Sequence, residues 1–134
     1  MKKNILNELG KRIVFFDGGM GTLLQERGLE AGELPENWNL EHPDIIRELH
    51  RDYLNAGADI ILANTFGANE LKFPDNLEEI VTKGVQNAKK AVEETGKDGY
   101  VALDVCPTGK LLKPLGTLDF EDAVSIFART IKAG

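Results

Sequence analysis

An acid followed by three glycines in four positions, Asp17-Gly18-Gly19-Met20-Gly21, closes the apolar run Ile13-Val14-Phe15-Phe16. Glycines carry no Cβ, so the N–H groups of Gly18 and Gly19 can point together at an anion and form a nest. The neighbouring Asp17 carboxylate can hold a cation. An anion receptor beside a cation receptor suits the head group of an α-amino acid. The same residues also suit a plain tight turn into a following helix, with Asp17 as its N-cap. A lone glycine-rich loop does not choose between the two.

Such groups need elements to position them. Three continuous apolar runs, at 13–16, 59–63 and 100–104, read as parallel strands covered on both faces. Between them lie helical patterns. Residues 43–56 open with Pro43, place Ile45, Ile46, Leu49, Tyr53 and Leu54 on one face, and stop at Gly57. Residues 77–94 repeat that period with Leu77, Ile80, Val81, Val85, Ala88 and Val92 and stop near Gly96. The polar stretch 25–42, punctuated by Gly and Pro, reads as a long loop. Alternating strands and helices predict an α/β fold with a three-strand parallel sheet.

In such folds sites form at the C-terminal ends of strands. The first predicted strand ends in Asp17-Gly18-Gly19, the second in Asn64-Thr65-Phe66-Gly67, and the third in Asp104-Val105-Cys106-Pro107-Thr108-Gly109. Each end carries polar groups followed by small residues, which lets a ligand approach the backbone. Their convergence on one mouth says more than any one motif.

Composition narrows the partner. Sixteen Lys and Arg against 22 Asp and Glu leave a net charge of -6, and the basic residues are scattered. This is not a nucleic-acid surface. No stretch approaches the ~18 apolar residues of a membrane span. Residues 1–13 read as a short amphipathic helix rather than a signal peptide. Cys106 is the single cysteine, so no intrachain disulfide can form, which fits a reducing, cytoplasmic compartment. A small molecule or another protein is the expected partner.

The blocks VFFDGGMGTLLQERG, ENWNLEHPDIIRELHRDYLNAGADIILANTFGANELK and DVCPTGKLLKPLG, in this order and spacing, resemble the homocysteine S-methyltransferase family, most closely its methionine-synthase type. The resemblance runs over residues 10–134 and implies a (β/α)8 TIM-type barrel, of which 1–134 would be the N-terminal part, its first three βα units. It implies homocysteine as substrate, with Asp17 at the amino group and Gly18 and Gly19 at the carboxylate. Asn64, Thr65, Asp104 and Thr108 would line the same mouth. It also implies zinc, which holds the substrate sulfur as a thiolate, and a methyl donor such as methylcobalamin. The family's zinc cysteines lie in later strands, so this segment alone is expected to bind no metal and to be inactive. Cobalamin, folate, betaine and S-methylmethionine stay open as donors.

Cys106 departs from the family pattern, which more often has glycine there, and reads as a small buried apolar residue rather than a ligand. His50 reads as a packing or surface residue, and His42 as part of a helix junction. Trp38 reads as a loop or barrel cap, and Met20 as a ligand or helix contact. Residues 121–134 can be laid over 44–57, both ending in Ala-Gly. A strand follows the first pair, so a fourth strand is expected after the second. The open sheet edges then call for the remainder of a barrel, a partner chain or self-association. A stand-alone half-barrel serving for binding or structure is the alternative.

Overall fold

The computed structural model describes residues 4–134. The start of the expected N-terminal helix, residues 1–3, lies outside them, and the rest of that segment forms only a single 3-10 turn, Ile5–Asn7. Two strands, β1 (Ile60–Leu62) and β2 (Tyr100–Ala102), pair in parallel with Ile60 opposite Tyr100. Among the described residues five α-helices accompany them: α1 (Gly21–Glu26), α2 (Trp38–Glu41), α3 (Pro43–Ala56), α4 (Leu77–Thr95) and α5 (Phe120–Ala133).

The three long helices obey their sequence signals. α3 starts at Pro43 and ends at Gly57, whose φ of 112° is one that glycine adopts without strain. α4 stops at Gly96, also left-handed. α3 packs along α4, and Leu54, Ile61, Ala63, Val85, Ala88 and Ala91 form the core between helices and sheet. Arg129 fastens α5 to α4 through a two-pronged pair with Glu78.

The expected first strand is the main correction. Residues 13–16 make one parallel bridge, Phe16 to Ile60, rather than a strand. Ile60 N–H donates to the Phe15 carbonyl (3.0 Å) and Asp17 N–H to the Ile60 carbonyl (2.9 Å). The next rung would take the Leu62 N–H to the Asp17 carbonyl; it goes instead to the Asp17 carboxylate, at 3.0 Å. A side chain replaces the backbone acceptor, and the ladder ends there.

The stretch 25–42 is also more ordered than a loop. Pro35–Asn37 forms a 3-10 turn leading into α2, and Leu29 and Trp38 are buried against Leu24, Ile46 and Leu49. Asn39, wholly buried, holds this segment in place: its Nδ2 donates to the carbonyls of Asn64 (2.8 Å) and Ile80 (3.2 Å). Asn87 on α4 donates to the Asn39 carbonyl.

Gly84 makes this junction possible. A Cβ there would lie 2.8 Å from Asn39 Nδ2 and 2.9 Å from Thr65 Cγ2, both on fully buried side chains. Gly84→Ala should therefore destabilise the chain by about 2 kcal/mol, even though alanine is the better helix former. Urea unfolding checks this; an unchanged midpoint would mean that α4 can move away from the junction.

Candidate amino-acid head-group site

Side chains, not the backbone, finish both ladders at the C-terminal end of the sheet. Asp17 takes the Leu62 N–H. Thr65, fully buried, donates its hydroxyl to the Asp104 carbonyl (2.8 Å) and accepts from the Asp104 N–H (3.2 Å). The hydroxyl thus clips the end of β1 to the segment leaving β2.

Asp17 is the group left with capacity to bind. Its Oδ2 holds Leu62, while its Oδ1 is buried and meets no hydrogen-bond partner among the described residues. Burial, and after it the negative charge of Asp104, pushes the Asp17 carboxyl pKa up from 3.8; the Leu62 N–H opposes this. Burial likewise raises Asp104, against a backbone hydrogen bond at Val105. The Asp104 charge is therefore felt at Asp17. A cation placed there would relieve both the desolvation and the repulsion.

The glycines flank this carboxyl. Among the described residues, neither Gly18 nor Gly19 N–H donates to a protein acceptor, and both residues are exposed. The turn-only alternative gave Asp17 a specific task, capping the next helix. Met20 holds the position before α1 and makes no side-chain cap bond, and Asp17 bonds across to Leu62 instead. A cleft of about 470 Å³ opens beside the loop, lined by Phe15, Phe16, Asp17, Gly18 and Tyr53 and by the turn at Ala56–Ala58.

The other sequence candidates take different places. Asn64 turns its amide inward, donating to the Pro35 carbonyl (2.9 Å) and Asn39 Oδ1 (3.0 Å). Thr65 is the clip between the two strand ends. Thr108 folds on its own loop, its hydroxyl donating to the Lys110 carbonyl and accepting from the Lys110 N–H. Asp17 and Gly18 thus line one cleft and the Asp104 charge is felt at Asp17, while Asn64 and Thr65 spend their polar groups on neighbouring segments. Sequence reasoning missed two residues. Glu36, buried in the stretch taken for a loop, accepts the Gly67 N–H at 2.5 Å. Tyr53 was assigned only to a helix face, and it donates its hydroxyl to the Gly19 carbonyl at 2.7 Å.

Among the described residues no group of three His, Cys, Asp or Glu converges to hold a metal ion. Cys106 is buried with its thiol against the Pro107 carbonyl, and His42 packs its ring on Trp38, 4.5 Å between centroids. His50 is enclosed on α3, with neither ring nitrogen meeting a partner among the described residues. Zinc therefore does not fit these side chains, and no step here runs through it.

The family model described as homocysteine S-methyltransferase matches residues 14–134. The chain belongs to the homocysteine S-methyltransferase family. It is 33% identical over 124 residues to methionine synthase of Mycobacterium tuberculosis, covering 81% of this chain and 10% of that protein. It is also 33% identical over 104 residues to methionine synthase of Mycobacterium leprae, covering 68% of this chain and 8% of that protein. The homocysteine methyltransferase MmuM from Escherichia coli, in its oxidized form, superposes with a TM-score of 0.79 at 24% identity, covering 98% of this chain and 52% of that one. This methyltransferase-family chain thus spans a small part of the two mycobacterial enzymes and about half of the solved structure. The likeness to MmuM establishes the shared fold. No helix among the described residues is long and apolar enough to cross a membrane.

Proposed function

We propose that this chain is the N-terminal part of a homocysteine S-methyltransferase barrel of the methionine-synthase type, and that its part in the reaction is to seat the amino acid. The observation that carries this reading is the Asp17 carboxyl, half-spent on Leu62 and otherwise unpartnered, beside two glycine N–H groups with no protein acceptor among the described residues. Asp17 takes the ammonium of homocysteine, and Gly18 and Gly19 take its carboxylate. Asp104 adds negative potential on the ammonium side. Held at its head group, the substrate presents its thiol away from these residues, and fixing that geometry removes orientational freedom before methyl transfer.

Zinc and methylcobalamin, implied by the family resemblance, belong on this reading to other parts of a complete enzyme. The apolar residues left exposed fit that division. Ile13, Phe15 and Phe16 lie open beside the bridge to β1, and Phe120, Val124 and Ile131 lie open on α5. The remainder of a barrel covers such surfaces. Titrating homocysteine into a complete domain built on this chain tests the reading. Saturable binding that alanine, with the same head group, competes for weakly is expected; no binding in a folded, complete domain would overturn it.

A further inference from the structure

We propose that Tyr53 is a positioning residue for substrate carboxylate recognition, locking the Gly18-Gly19 loop from α3 without touching the substrate. The inference rests on the head-group reading of Asp17 and the two glycines. Two neighbouring glycines are the most permissive backbone a chain can contain, and their N–H groups receive an anion well only if they are held in one orientation. Something outside the loop must supply that order. Asp17 anchors the loop on one side through Leu62. On the other side stands Tyr53.

Two contacts make it a lock. The Tyr53 hydroxyl donates to the Gly19 carbonyl at 2.7 Å, which fixes the plane of the peptide between Gly19 and Met20. That peptide is trans, so its N–H, which is Met20's, is directed away from the tyrosine, and the bond fixes the turn on the far side of the Gly18 and Gly19 N–H groups. The ring itself fills the space beside Gly18: a Cβ there would lie 2.9 Å from the hydroxyl oxygen and 3.3 Å from the ring. Rotation of Gly18 toward α3 is blocked, and rotation of Gly19 would break a hydrogen bond. The hydroxyl also senses the site, since burial first and the Asp17 charge second push its pKa up. A loop already ordered before the ligand arrives loses less entropy on binding.

The test compares homocysteine with 3-aminopropane-1-thiol, which keeps the ammonium and thiol but lacks the carboxylate, by calorimetric titration in the complete domain. Tyr53→Phe keeps the ring and deletes the hydroxyl. It should weaken homocysteine about tenfold and leave the aminothiol within about twofold. Tyr53→Leu, which removes the hydroxyl and the ring beside Gly18 together, should show the same selective loss, and this second variant stands in should the first fail to fold. Equal weakening of both ligands would make Tyr53 merely structural, and no weakening of either would make it irrelevant; both overturn the proposal. Asp17→Asn serves as the reference and should weaken both ligands, because both carry the ammonium. If it weakens neither, the head-group reading itself fails; if it weakens both while Tyr53→Phe changes nothing, the Tyr53 inference alone fails.

Discussion

Asp17→Asn should weaken homocysteine binding about a hundredfold, near 3 kcal/mol, while leaving the free protein at least as stable as before. The two halves of this expectation have the same origin. In the free protein Asp17 is a partly buried carboxyl whose pKa burial has raised above 3.8. An acid raised on folding contributes its stability below the ordinary pKa and loses it as pH rises through the folded value. At neutral pH the ionised group is therefore a cost, offset only when an ammonium arrives. Asparagine keeps an acceptor for the Leu62 N–H and removes the charge, so the cost and the ligand attraction disappear together. The pH profile separates this from a steric effect. With aspartate present, affinity should rise with pH up to the raised pKa of the free carboxyl, above 3.8, because the bound ammonium displaces a proton. With asparagine the rise should shrink to the smaller part that Asp104 contributes. Isothermal titration in two buffers of different ionisation heat reads the released proton directly; unchanged affinity would remove Asp17 from the site.

Much of the frame behind this site was legible in the sequence, because its signals are local. Pro43, Gly57 and Gly96 mark helix ends through backbone preferences that need no tertiary partner. The apolar period of α4 names most of the residues that are buried on it. What could not be read depends on partners far along the chain. Residues 13–16 have the composition of a strand, yet their pairing stops because one side chain, Asp17, takes the N–H of a residue 45 positions away. The polar stretch 25–42 looks like a loop because Glu36 and Asn39 are polar. They are buried because Gly67 and Asn64, 31 and 25 residues on, complete their hydrogen bonds. Gly84 interrupts a helix pattern without apparent cause until Asn39 and Thr65 stand against it. The head-group site divides in the same way. Residue types nominated Asp17, Gly18 and Gly19, while the tyrosine that orders them lies 34 residues from its hydrogen-bond partner.

His50 should make the fold acid-sensitive by about 3 kcal/mol between pH 7 and pH 4. It lies on the buried stripe of α3, one turn after Ile46 and one turn before Leu54, with no exposed surface. Both ring nitrogens are buried without a partner among the described residues, and burial holds its pKa down to about 4, from 6.5. A histidine lowered on folding binds its proton more readily in the unfolded chain. Its contribution is thus fully present above 6.5 and is lost as pH falls toward 4. His50→Leu, close in volume and unable to ionise, should remove that part of the pH dependence. At neutral pH it should also remove the cost of two unsatisfied polar atoms, leaving the variant at least as stable as the parent. Asp59, Glu48 and Glu78 titrate in acid too, each held below its ordinary value first of all by a hydrogen bond to an arginine side chain. They are common to parent and variant, so the difference between the two urea-midpoint profiles isolates the imidazole. Parallel profiles from pH 7 to 4 would mean that the ring finds a proton acceptor or water on ionisation, and that α3 opens there more readily than its packing implies.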